Sequence, residues 1–176
     1  AGQQQNLLGA GGRDVRAGAG QPRKMMKCAV DLHIHSCLSP CADDDMTPCN
    51  IAGMAYVKHL DCIALTDHNA AENRPAAALA AREMGVCLLP GIEVTSSEEV
   101  HILCYFPAVD PAVDFGRMIY DHLPPLPNNK RIFGNQMILG PEDEAQGELS
   151  KLLIQATDLS IVEIERRCTE AGGICV

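Results

Sequence analysis

Residues 61–95 read DCIALTDHNAAENRPAAALAAREMGVCLLPGIEVT, a passage from strand through helix into a second strand. Ile63-Ala64-Leu65 gives the stretch Asp61–Thr66 an unbroken apolar core, the pattern of a strand covered on both faces. Arg74 to Met84 is rich in alanine and therefore helical. Gly85 stops that helix, because glycine tolerates the left-handed conformation that closes a helix C-terminus. Val86 to Val94 is apolar again. A strand, a helix and a strand in so short a span form a βαβ unit, which lays two parallel strands in one sheet.

The same alternation continues on both sides. Cys28 to His35 is a short strand, followed by a helix from Thr47 to Leu60 that opens on Thr47-Pro48, an N-cap with proline at the first helical position. Downstream lie a strand from Val100 to Phe106 and a helix from Val113 to His122. An irregular insertion rich in proline and glycine spans about 124–147. A helix from Ser160 to Ala171 follows, with Ser160 and Glu163 as a capping box and Gly172-Gly173 as its stop. Ile174 to Val176 begins another apolar strand. The fold class is α/β with a mainly parallel sheet. Residues 1–24, AGQQQNLLGAGGRDVRAGAGQPRK, show no sustained periodicity and read as a disordered linker or non-native segment. The folded domain is expected over 25–176. It has room for about five strand–helix steps at roughly 30 residues each, whereas a closed (β/α) barrel takes about 250. The expectation is a barrel cut short.

Composition narrows the function. A net charge of −9 argues against a surface that coats long nucleic acid. It leaves phosphorylated substrates open, because bound divalent cations reverse the local sign of a site. No apolar run approaches the roughly 20 residues that span a bilayer, so no membrane partner is expected. The nine cysteines are odd in number and sit mostly in apolar runs such as CIAL and VCLL, which suits reduced thiols in a cytoplasm. Cys37, Cys41 and Cys49 lack any C-x2-C pair, so a zinc or iron–sulfur reading of that cluster is set aside.

Chemistry concentrates at strand ends. In AVDLHIH, residues two apart share a face, so Asp31, His33 and His35 project together. Two histidines so placed can grip one cation, with Asp31 available to orient a ring. The loop SPCADDDMTP holds Asp43, Asp44 and Asp45, three carboxylates that repel one another unless a cation is near. Asp67 and His68 close one apolar strand and Glu93 another, at the carboxyl ends where α/β proteins place their sites. The connection Thr95-Ser96-Ser97-Glu98-Glu99 is too short for a parallel crossover and fits a hairpin. With all five residues in the loop, Glu93 faces His101 across an antiparallel pair. A four-residue loop would turn His101 to the other face and leave it structural.

In order, DLHIHS, an aspartate before a Thr-Pro-opened helix, LTDHN, GIEVTS and VHILCYF resemble the successive motifs of the PHP (polymerase and histidinol phosphatase) superfamily, over about residues 27–106. The resemblance implies the N-terminal part of a distorted (β/α)7 barrel, with the local hairpin at Glu93–His101, and a hydrolase that cleaves phosphoesters with a metal-activated water. It implies two or three divalent cations (Mn, Zn or Fe). His33, His35 and Glu93 would serve one, Glu93 and His101 a second, and Asp43 and His68 a third. Asp43 is preferred to its neighbours because it stands five residues before Pro48, where the family's Ser-Asp-Gly segment carries its aspartate. Asp31 and Asp67 would stand behind these ligands. No side chain is assigned as a general acid, and Arg74, at a helix start, is only a weak candidate for holding phosphate. The family's later His and Asp-x-His have no counterpart after Phe106, where His122 is the one histidine. The expected substrate is a phosphorylated small molecule or short nucleotide. The rival readings are a non-catalytic metal-binding module of the same family and a hydrolase of C–N bonds.

Overall fold

A computed structural model describes residues 27–176, so the segment 1–24 lies outside the described residues. The βαβ unit forms as expected. β1 (Val30–Ile34) and α1 (Pro48–Val57) precede β2 (Cys62–Leu65), α2 (Arg74–Glu83) and β3 (Cys87–Thr95). β1, β2 and β3 pair parallel. β4 (His101–Tyr105) returns antiparallel to β3. α3 (Val109–Asp121), α4 (Lys130–Phe133), β5 (Met137–Leu139), β6 (Ala145–Glu148), α5 (Ile161–Glu170) and β7 (Ile174–Cys175) complete the described chain. β7 joins β4, giving a sheet in the order β1-β2-β3-β4-β7, while β5 and β6 form a separate ribbon. Among the described residues no pairing closes the sheet into a barrel.

Helices α1, α2, α3 and α5 pack on one face. Ile34, Ile63, Leu65 and Leu88 pack with Ile51, Ala52 and Ala55 of α1 and Ala77, Ala80 and Ala81 of α2. Ile92, Val94, Ile102, Cys104 and Phe106 pack against Ala112, Phe115 and Ile119 of α3 and Ile164 and Cys168 of α5. The alternating residues, His33, His35, Gly91, Glu93, His101 and Tyr105, therefore belong to the other face. The sheet curls strongly about that face: the Tyr105 hydroxyl on β4 crosses to donate to the Leu32 carbonyl of β1 at 2.7 Å. Gly91 makes the crossing possible. A β-carbon there would lie 2.8 Å from Thr66 Cγ2 and 3.1 Å from the Tyr105 ring. Gly91→Ala is expected to destabilise the fold by about 1–3 kcal/mol through overpacking, read as a lower urea midpoint.

Two elements depart from the sequence reading. α3 starts four residues early, because Pro111 falls in its first turn, where a missing N–H is harmless, and Asp110 favours the N-terminal end of the helix dipole. The insertion at 124–147 is not wholly irregular: it holds α4 and the β5–β6 ribbon. β6 is exposed along its length and has no apolar alternation to betray it. The ribbon is tied down through Asn73, whose side chain donates to the Met137 carbonyl and accepts from Leu139 N–H. Asp143 in its turn accepts from Thr47 Oγ1 and Cys49 N–H at the start of α1.

Candidate metal centre

Glu93 stands at the middle of four imidazoles. Its Oε2 lies 3.1 Å from His35 Nε2, 3.1 Å from His68 Nδ1 and 3.4 Å from His33 Nε2. Its Oε1 lies 3.0 Å from His101 Nδ1. Each position has a local cause. His33 and His35 share a face of β1, with their Nε2 atoms 3.0 Å apart. His68 follows β2, where pairing with β3 resumes as a single bridge: Glu93 N–H donates to Asp67 and Asn69 N–H donates to Glu93. His101 arrives through the hairpin, although not in the expected register. Glu93 opposes Leu103, and His101 opposes Thr95. The loop still has five residues, but they are Ser96–Val100, closed by Ser96 N–H to the Val100 carbonyl at 2.9 Å. A shift of two residues keeps face parity, so His101 reaches Glu93 diagonally.

Behind the histidines, Asp67 is fully buried. It accepts from Ser36 N–H and Oγ, from Ser39 Oγ and from Arg74 Nη1 at 2.6–2.8 Å. Ser39 Oγ in turn accepts from His68 N–H. Asp67 thus braces the loop under His68 rather than a ring. Asp31 touches no ring: its carboxylate accepts from His33 N–H at 3.3 Å, beside a bulge that displaces it from strict alternation with His33. Arg74, the weak candidate for holding phosphate, is completely buried, donating to Asp67 and to the Gly91 and Ala70 carbonyls.

Three overlapping groups offer ligand atoms within 4.8 Å of one another: His33, His35 and Glu93; His68, Glu93 and His101; and His35, Cys41 and His68. Asp43 is exposed and belongs to none of them. Asp44 accepts from Asn135 instead. Cys41 occupies the edge where Asp43 was expected, its Sγ 3.3 Å from His35 Nδ1. Cysteine–cysteine spacing carries no sign of it; its place six residues after His35 of the H-x-H strand does. Cys37, by contrast, is a buried thiol pushed up to about 12 by burial and then by Asp67, which suits a packing role.

The donor set fits a cation. His68 Nδ1 and Glu93 Oε2 are buried, face each other, and make no properly aligned hydrogen bond. Buried polar atoms without partners are expensive, and two lone-pair donors converging on one point are what a cation satisfies. Burial holds the His68 imidazole down to about 4, against the pull of Glu93. Burial alone would raise the Glu93 carboxyl; the approach of His35 and His68 outweighs it and brings it down to about 2. At neutral pH the carboxylate is therefore charged and His68 offers a free lone pair. In chelated protein, folding stability should fall as pH drops from 6.5 toward 4, where the unfolded chain protonates His68 and the folded chain does not. The loss is on the order of 3 kcal/mol, and a second loss follows between 4.5 and about 2, where the unfolded chain protonates Glu93 and the folded chain keeps it charged. Urea midpoints across that range in wild type and His68→Gln check it: the variant should lose the first step.

No protein-family model matches the chain. A 5'-3' exoribonuclease of Haemophilus influenzae is 33% identical over 76 residues, 42% of this chain and 27% of the relative, so the match spans about a quarter of that protein. A protein assigned as a metal-dependent phosphoesterase from Bifidobacterium adolescentis aligns over 86% of this chain and 67% of its own, with a TM-score of 0.57 and 20% identity. A lesion-specific endonuclease, endonuclease Q, from Pyrococcus furiosus aligns over 84% of this chain and 33% of its own, with a TM-score of 0.50 and 18% identity. At such identities the likeness is one of fold.

Proposed function

We propose that the whole protein hydrolyses a phosphoester at this centre, with divalent cations held by His33, His35, His68, Glu93 and His101. The observation that carries the reading is the Glu93 carboxylate, whose two oxygens face different histidines and can serve two cations at once. Divalent cations, when bound by these residues, would supply Lewis acidity, lowering the pKa of water from 15.7 to roughly 7 and offsetting phosphate charge. The chain's part is to hold and orient. Ser39 and Asp67 fix the His68 loop, and burial keeps His68 neutral. The side chains of His33 and His101, 47% and 46% exposed, leave the centre open to substrate on two sides. Arg74 is committed to Asp67, so phosphate charge is met by the cations rather than by this arginine. Asp43 remains a candidate ligand only if its turn moves inward, and Cys41 is the better placed donor for a third position.

The exoribonuclease relative makes the end of a short nucleic acid the first substrate to test. Endonuclease Q has also been seen with a 27-mer duplex, so the expectation against long nucleic acid rests on net charge alone. The test is full-length protein stripped by chelation, resupplied with Mn, Zn or Fe, and assayed on phosphomonoesters, dinucleotides and 5'-phosphorylated oligonucleotides. Turnover that depends on the cation and disappears in His33→Ala supports the reading. Stoichiometric cation binding without turnover would favour the non-catalytic module, and activity that survives chelation would overturn the proposal.

A further inference from the structure

A second cluster of ligand atoms lies on the opposite face of the sheet. Cys104 of β4, Cys168 of α5 and Cys175 of β7 bring their sulfurs within 4.8 Å of one another, with Cys104 and Cys175 Sγ 3.5 Å apart. Cys104 and Cys168 are fully buried among the apolar residues under α3 and α5, and Cys175 is half-buried. We propose that these three cysteines form a thiolate site for one soft cation, Zn(II) or Cu(I), independent of the histidine centre.

Three features support it. First, the register is fixed: Leu103 and Val176 exchange both backbone hydrogen bonds, at 3.1 and 2.9 Å, which makes Cys104 and Cys175 the close, non-hydrogen-bonded pair. Second, the turn from α5 into β7 is built around the third sulfur. A β-carbon on Gly173 would lie 2.7 Å from Cys168 Sγ, 2.7 Å from the Phe106 ring and 2.9 Å from the Tyr105 carbonyl, so only glycine lets β7 pass this close. Third, the sulfurs are close enough to share one ion, all lying within 4.8 Å of one another. At a metal–sulfur distance of about 2.3 Å, three sulfurs around one ion stand about 3.7–4.0 Å apart. A disulfide would use two of the three and leave Cys168 idle. Thiolates favour soft cations, and each bound thiol releases its proton to solvent past the half-exposed Cys175.

Co(II), a spectroscopic substitute for Zn(II), tests this on the full chain under reducing conditions. The expected result, in a Cys41→Ser background that removes the thiol beside the histidine centre, is a sulfur-to-cobalt charge-transfer band in the near ultraviolet that survives in Cys87→Ser and His33→Ala and is lost in Cys168→Ala. The half-exposed Cys175→Ser, which leaves the core intact, should lose it as well. Zn(II) should also protect all three cysteines from alkylation together, seen by peptide mass mapping. A band that persists in Cys175→Ser, its absence from the wild type, or a Cys104–Cys175 disulfide with no metal-dependent protection overturns the proposal.

Discussion

Glu93→Gln is expected to lower cation-dependent phosphoester hydrolysis by more than about a hundredfold. Removing a group that merely supports a ligand already costs 10- to 100-fold, and Glu93 is the one carboxylate that faces all four imidazoles. The amide keeps the side chain's shape and removes its charge, so the loss reports on cation holding rather than packing. Thermal melting separates the two directly. Added Mn(II) should raise the midpoint of the wild type by mass action and leave that of the variant where chelation put it. A variant that is stabilised by the cation as strongly as the wild type, with turnover intact, would remove Glu93 from the centre.

The sequence was most readable where local chemistry and tertiary need agree. The apolar run CIAL, the Ala-rich helix before Gly85 and the Ser160–Glu163 capping box each specify one local answer, and the structure contains all three. H-x-H, Asp-His and Glu93 announced themselves because polar groups at the ends of apolar strands are costly unless they converge. What stayed hidden was set by distant contacts. The hairpin register depended on how Ser96 closes the loop, not on loop length alone. The β5–β6 ribbon is held by Asn73 and by the α1 N-terminus rather than by its own pattern. Asp43 followed from alignment to a motif, and alignment cannot tell which residue of a turn meets the histidines; in this structure Cys41 lies against His35.

The same convergence ties the histidine face into one chain of contacts. His68 hangs from Ser39, Ser39 and Ser36 from Asp67, and Asp67 from Arg74, which also grips the Gly91 carbonyl two residues before Glu93. One buried ion pair thus joins the loop after β1, the end of β2, the start of α2 and the middle of β3.

Arg74→Ala is therefore expected to destabilise the protein by about 3–5 kcal/mol, the cost of leaving one buried charge without its partner. The arginine and the aspartate are both fully buried, so solvent cannot screen the orphaned carboxylate. Asp67→Ala should cost a similar amount, with Ser36 and Ser39 also losing an acceptor. The double variant should cost clearly less than the sum of the two, because removing both partners leaves no isolated charge. Urea denaturation of the four proteins closes the cycle, and strict additivity would show that the pair carries no coupling. If the chain of contacts to His68 is as described, a milder change, Ser39→Ala, should weaken cation binding while shifting the urea midpoint much less than Arg74→Ala, since it releases the His68 loop but leaves the ion pair whole.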